Sequence, residues 1–298
     1  MGSKLLYYLV ILPISRMPYF LLYRVSDFFF LVLYYVVPYR KKLVYKNMMG
    51  CFPDASEKRI KRWRRQFYRY FCDLVVESLK NFTISKRSAA KRVQAINVEV
   101  INQYAAQGKS VILTGGHYTN WELWAVAAPQ HLDHVPVGIY KRLSNAFFDE
   151  RMRASRGKFG MKLVPTAGIK DEFEKLNTQK SAFIYAIDQS PADPKKSYWT
   201  TFLGRETACF YGAEKYAREY NLPVVYGRGQ RVSRGHYTIE YILITESPND
   251  LPYGEILERA NRLLEDDINA EPQFWLWTHR RWKHRRPENL PLRSKPTT

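Results

Sequence analysis

Beyond Val98 the chain alternates between short apolar runs of strand length and amphipathic runs of helix length, and nothing else restricts its fold so strongly. Strand candidates are Ser110–Thr114, Val135–Tyr140, Met161–Val164, Ala182–Asp188, Pro223–Gln230 and His236–Ile244. Helix candidates are Trp121–Ala128, Asn145–Ser155, Ile169–Leu176, Ala208–Tyr220 and Tyr253–Asn269. Strands separated by helices predict an α/β fold with a mixed, mainly parallel sheet flanked by helices. A chain of 298 residues can bury a full core in one large domain of this kind. Ligands of such sheets gather beyond the carboxyl ends of the strands, where both His117 and Asp188 fall.

His117 stands in the run Thr114-Gly115-Gly116-His117-Tyr118-Thr119-Asn120-Trp121-Glu122. A histidine works as a base when a carboxylate holds its ring in one tautomer and offsets the charge of the protonated form. In a continuous helix, positions five apart point about 140° away from each other. A turn before the helix, capped by Asn120 or Thr119, lets His117 fold back toward Glu122. The spacing is chemically useful only in that setting, and a lone His with a Glu five residues later would carry little weight.

The His-x-x-Asn-Trp-Glu pattern resembles the His-x-x-x-x-Asp/Glu motif of the lysophospholipid acyltransferase superfamily, most closely the bacterial lipid A biosynthesis (late) acyltransferase family. Further matches occur in that family's order from about Tyr39 to Pro287. They include Lys46-Asn47, Phe52-Pro53, Tyr140-Lys141, Asn145, Arg153, Arg156-Gly157, Val164-Pro165, Asp188-Gln189, Leu222-Pro223 and Arg231. The last is Trp275-Leu276-Trp277-Thr278-His279-Arg280-Arg281-Trp282-Lys283, which is similar to the closing Trp-x-His-Arg-Arg-Trp-Lys signature. Two stretches depart from the pattern, Ser190 to Lys196 and Glu206 to Cys209, and both touch the expected substrate pocket.

The resemblance implies a membrane-associated acyltransferase that moves a fatty acyl chain from an acyl carrier protein thioester to a hydroxyl of a lipid A precursor. His117 would be the general base and Glu122 the group that orients it. Asn120 and Trp121 are expected to shape the motif, and Tyr140, Lys141 and Gln189 to meet substrate. Asp188 bonds either a substrate hydroxyl or a partner Arg, with a plain strand-end carboxylate as the alternative. Arg156 and Arg231 are candidates for phosphate or oxyanion contact, against ordinary solvated surface arginines. No Ser or Cys nucleophile has a local signature and Gly-x-Ser-x-Gly is absent, so direct transfer is favoured over an acyl-enzyme. The same mechanism would serve an aminolipid, lysophospholipid or glycolipid acceptor. The competing class is a non-catalytic basic adaptor held to membrane or nucleic acid by charge.

Lys plus Arg number 47 against 28 Asp plus Glu, a formal charge of +19 that favours phosphate-rich partners. The basic residues flank apolar and aromatic stretches, which suits an anionic membrane surface; no zinc-finger, RNP-type or helix-turn-helix pattern points to nucleic acid. Cys51, Cys72 and Cys209 are odd in number and widely spaced, so neither a disulfide framework nor a metal site is expected. No cofactor is expected either.

Three parts are expected along the chain: residues 1–40 as a membrane anchor or interfacial helices, 41–287 as the acyltransferase domain and 288–298 as a loose tail. Met17 to Val37 is long enough to span a bilayer but contains Arg24 and Asp27. Its twelve Leu, Phe and Val residues gain roughly 4 to 7 kcal/mol, while the two charges cost roughly 5 to 7. Pairing of Arg24 with Asp27 across one turn would lower that cost. No small-residue cleavage site comes after it, so a removed signal peptide is not expected. Arg40, Lys41, Lys42 and Lys46 then favour the cytoplasmic face of the inner membrane for the remainder of the chain. Ile60, Trp63, Phe67, Tyr70, Leu74 and Leu79 recur at helical steps and predict a long amphipathic helix that includes Glu77. The closing Trp-rich basic cluster is expected to form a final amphipathic helix at the membrane interface, with no direct part in catalysis.

Overall fold

The computed structural model describes residues 2–294. A seven-stranded sheet is built from β1 (Val93–Ile96), β2 (Val111–Gly115), β3 (Val135–Tyr140), β4 (Lys162–Pro165), β5 (Ser181–Ala186), β8 (Val224–Ser233) and β9 (His236–Thr245). A separate hairpin joins β6 (Tyr198–Phe202) to β7 (Arg205–Cys209). The sheet order is β1-β9-β8-β2-β5-β3-β4. Every neighbouring pair is parallel except β8–β9, which the tight turn at Arg234-Gly235 closes as an antiparallel pair. The α/β class and the mainly parallel sheet are thus as expected, and the six strands anticipated from the sequence all lie in it.

The centre of the sheet is nearly continuous in apolar residues because helices cover both faces. Val111, Ile112, Leu113, Ala182, Phe183, Val224 and Val225 are buried there. Phe173, on the helix Ile169–Asn177, stacks on Phe183 with ring centres 4.0 Å apart and on Tyr216 at 4.5 Å. The helix Glu57–Lys80 begins with Ser56 accepting a hydrogen bond from the Arg59 amide, a normal N-cap, and turns Ile60, Phe67, Tyr70 and Leu74 inward. Across it lies the helix Tyr19–Leu31, which continues as a π-helical turn over Val32–Val36.

Two expectations fail here. The helix expected from Ala208 begins only at Gly212, because Arg205–Cys209 is paired as β7. The hairpin turn uses Leu203 and Gly204, both at positive φ (49° and 71°), as a type I′ turn requires. Leucine is an unusual occupant of that backbone region, so the turn carries no Asn-Gly signal. The closing Trp-rich segment is also not a helix: after a short 3-10 turn, Pro272–Phe274, it runs irregularly. Its tryptophans do not face outward together, since Trp275, Trp277 and Arg281 are almost fully buried, while Arg280, Lys283 and Arg285 are exposed. From Pro287 to Ser294 the tail has no helix or strand, although the Arg293 amide donates to the Trp199 carbonyl at 2.7 Å; residues 295–298 lie outside the described residues.

Gly116 sets the distance between the sheet and the helix Glu255–Ala270. A Cβ there would come within 2.6 Å of Leu264, which is wholly buried. Gly116→Val should therefore cost about 1–3 kcal/mol in chemical denaturation by forcing that helix outward. A variant as stable as the parent would show that Leu264 can turn aside.

Candidate active site

Adjacent parallel strands deliver the two central residues to one another. β2 ends at Gly115 and β5 at Ala186, with the Ile187 amide still bonded to the Gly115 carbonyl at 3.0 Å. The chain then turns outward on both sides, so His117 and Asp188 meet just beyond the carboxyl edge of the sheet. His117 Nδ1 lies 2.6 Å from Asp188 Oδ1, and the His117 backbone amide donates to Asp188 Oδ2 at 2.8 Å. Trp275 donates its indole N–H to the same Oδ2 at 2.8 Å. Asp188 itself is buried.

Burial alone would raise the Asp188 pKa, but the His117 ring, its amide and the Trp275 indole outweigh it and hold the carboxyl at about 2. Burial likewise disfavours a charged His117, yet Asp188, and Glu122 to a smaller degree, raise its pKa above the ordinary imidazole value. An ionised Asp188 accepts the Nδ1 proton, which leaves Nε2 as the basic nitrogen. The Gln189 side-chain nitrogen lies 3.1 Å from Nε2, and Gln189 is exposed. Trp121 packs edge-on against the imidazole, with ring centres 4.9 Å apart.

Glu122, expected to orient the histidine, makes a different contact. Its carboxylate receives Arg156 Nε at 2.9 Å and a second bond from Arg156 Nη2, a two-point ion pair. The hydrogen bond to His117 Nδ1 comes from Asp188, and Glu122 acts on the ring only as a nearby charge. Arg156, on the helix Ala146–Gly157, is thereby engaged by protein. Arg231 is engaged too, 3.0 Å from Asp73 and over the Tyr70 and Phe274 rings. Neither arginine takes the free, ligand-facing form expected of a phosphate contact. Tyr140 donates to Asp149 at 3.1 Å, and Lys141 lies exposed on the loop beyond β3.

Asn120, one of the two caps expected, is the residue that caps the helix. Its Oδ1 accepts the Leu123 amide at 2.8 Å and caps the helix Trp121–Ala127, while its Nδ2 donates to Glu77 at 2.6 Å. Thr119, just before it, sits at φ 50°, a strained conformation for a β-branched residue. Its amide is held by the Phe274 carbonyl at 3.1 Å. Glu77 also receives Tyr237 at 2.7 Å and Tyr23 at 2.9 Å. Burial raises its pKa even though these three donors oppose the shift. The buried Glu77 thus joins the amino-terminal helix, the capping asparagine and β9.

Sequence reasoning missed two members of the site, Trp275 and His279. His279 Nε2 accepts the Ser190 amide at 2.9 Å, and burial, aided by Arg281 and His117, lowers its pKa to about 4. A neutral His279 therefore fixes the turn that carries Asp188 and Gln189. Arg281 donates to the Ala208 carbonyl and to Cys209 Sγ, which pins the segment to β7. These partners lie some seventy to ninety residues apart in sequence, so no local spacing could have revealed them.

Asp188→Asn should remove both the tautomer control and the charge that raises the His117 pKa. The pH–rate profile should then lose roughly 10² to 10⁴ on its plateau, and its acidic limb should move to lower pH. An unmoved limb would show that Asp188 does not govern this histidine. Asn120→Ala should cost between about 1 and 4 kcal/mol in thermal or chemical unfolding, from the lost cap and a buried carboxylate short of one donor.

Comparison with known proteins places the chain among relatives. The chain is 24% identical over 285 residues to the lipid A biosynthesis lauroyltransferase of Escherichia coli (strain K12), covering 94% of this chain and 90% of that one. It is 24% identical over 236 residues to a lipid A biosynthesis acyltransferase of Haemophilus influenzae, covering 78% and 72% of the two chains. A second acyltransferase of that name and organism is 20% identical over 255 residues, 85% of this chain and 80% of the other. Residues 2–284 match one family description across the strands, the histidine turn and the buried tryptophans alike, and the chain belongs to the bacterial lipid A biosynthesis acyltransferase family, an acyltransferase by descent.

Proposed function

We propose that the chain transfers a fatty acyl group from an acyl carrier protein thioester to a hydroxyl of a lipid A precursor, at the cytoplasmic face of the inner membrane. The observation that carries the mechanism is the bond from His117 Nδ1 to the ionised, buried Asp188, which leaves Nε2 basic, its contact there being the exposed Gln189 side chain that an acceptor hydroxyl would displace. The acceptor oxygen attacks the thioester carbonyl carbon while its proton passes to His117 Nε2. The tetrahedral oxyanion then collapses and the carbon–sulfur bond breaks. The departing thiolate takes the proton back from His117, which leaves an ester and a free thiol.

Asp188 positions the imidazole and offsets its charge during this cycle. The Glu122–Arg156 pair braces the flanking helices and adds a smaller electrostatic contribution to His117. A reaction of this kind needs no resident cofactor: base, orienting carboxylate and leaving thiol complete the proton balance. The exposed apolar residues of the amino-terminal helices and the net charge of +19 support placement on an anionic bilayer.

The test is transfer by purified parent, His117→Ala and Glu122→Gln proteins, with acyl carrier protein thioesters and a panel of lipid acceptors resolved by mass. We expect one added acyl unit on the lipid A precursor. His117→Ala should reduce the rate by roughly 10² to 10⁴, and Glu122→Gln by less, through a weakened grip on Arg156. Transfer to a different hydroxylated lipid would keep the mechanism and replace the acceptor. Unchanged transfer by His117→Ala would overturn the mechanism.

A further inference from the structure

The amino-terminal helix Tyr19–Val36 is long and apolar enough to cross a membrane. Its sides are strongly unequal. Leu22, Ser26, Phe30 and Tyr34, four residues apart, are buried against the protein, while Phe20, Phe28, Leu31 and Tyr35 are exposed on the opposite side with Arg24 among them. The buried side is tied down by polar contacts that a bilayer could not replace. Ser26 donates to the buried Asp73 at 2.7 Å, and Tyr23 donates to Glu77. Asp27 pairs with Arg234 at 2.7 Å, and not with Arg24 as its spacing suggests.

The segment before it is fastened to the same body. Asn145 donates to Ser3 at 2.7 Å, Tyr7 packs edge-on against Phe82 and Phe147, and Lys80 donates to the Met17 carbonyl at 2.8 Å. Leu5, Leu6 and Leu9 remain exposed beside Lys4. A helix that crossed the bilayer would have to abandon these ties and leave Asp73 and Glu77 buried with fewer partners. A helix lying along the surface keeps all of them and still sinks its exposed side into lipid.

We propose that this enzyme is monotopic: the helix Tyr19–Val36 lies in the plane of the interface, its Phe20/Phe28/Leu31/Tyr35 side in the acyl layer of an anionic bilayer and both its ends on the catalytic side. The proposal rests on the membrane placement given under the proposed function and specifies its geometry. Arg24 extends to the headgroups from the apolar side, while Arg16 and Lys42, exposed beyond the two ends of the helix, meet anionic phosphates.

The experiment uses the full chain in inverted inner-membrane vesicles, with Lys4→Cys and Lys42→Cys made separately. Reaction with a bulky, impermeant maleimide is counted as the increment over the parent and its own cysteines. Both introduced thiols should react in intact vesicles. Reaction of the Lys42 thiol with the Lys4 thiol reached only after detergent would overturn the proposal, because a spanning helix places them on opposite faces. Loss of the parent from the membrane fraction would instead overturn the membrane placement itself. A Phe28→Asp/Leu31→Asp double variant should bind phosphatidylglycerol-containing vesicles more than about tenfold more weakly than the parent. Undiminished binding would show that this side of the helix does not meet lipid.

Discussion

Everything around His117, beyond the carboxyl edge of the sheet, depends on how one buried carboxylate is satisfied. Asp188 accepts three hydrogen bonds, from the His117 ring, the His117 amide and the Trp275 indole. Each comes from a different structural source: a side chain after β2, the backbone of that same turn, and the carboxyl-terminal segment. A carboxylate so supplied stays ionised despite its burial. Its charge then selects one tautomer of His117 and makes the imidazolium less costly to form. Remove the third donor and the arrangement loses both a wall and part of the field that keeps Asp188 charged.

The carboxyl-terminal segment is therefore architecture for the site. Trp275 touches Asp188, His279 fixes Ser190, and Arg281 reaches the hairpin formed by β6 and β7. Trp282 extends the same link by donating to Thr207 at 2.8 Å. Dense tryptophan and arginine in a basic protein suggest an interfacial helix when only composition is weighed. Here the tryptophans are core residues whose N–H groups find acceptors, and Arg281 is buried because carbonyl and sulfur atoms receive it. Ser190 to Lys196 and Glu206 to Cys209, the two stretches expected to depart from the family pattern, include the residues this segment holds in place.

The sheet was legible because strand-length apolar runs alternate with amphipathic ones, and local periodicity follows burial. Val135–Tyr140 was readable to the residue, since it is apolar and bounded by turn-forming neighbours. The β6–β7 hairpin was not, because Leu203 occupies a backbone region that sequence rules reserve for Gly, Asn or Asp. At the site, His117 and the capping role of Asn120 were visible from the turn between strand and helix. The partner of His117 was not: Glu122 is near in sequence, whereas Asp188 is near in space through the parallel pairing of β2 with β5. Parallel neighbours are joined by long crossovers, so their strand-end residues meet without any local spacing to announce it.

Glu77 has a wider bearing than its place in the core suggests. It gathers Tyr23 from the amino-terminal helix, Asn120 from the histidine turn and Tyr237 from β9 around one buried carboxyl group. Such a cluster cannot be altered one member at a time without cost, because every donor lost leaves the same buried carboxyl group less satisfied. Among related sequences these four positions should vary together, and they should retain their identities as a set even where the surrounding apolar residues drift. The amino-terminal helix and the histidine turn are then bound by a shared evolutionary constraint, although neither Tyr23 nor Glu77 touches the His117 ring.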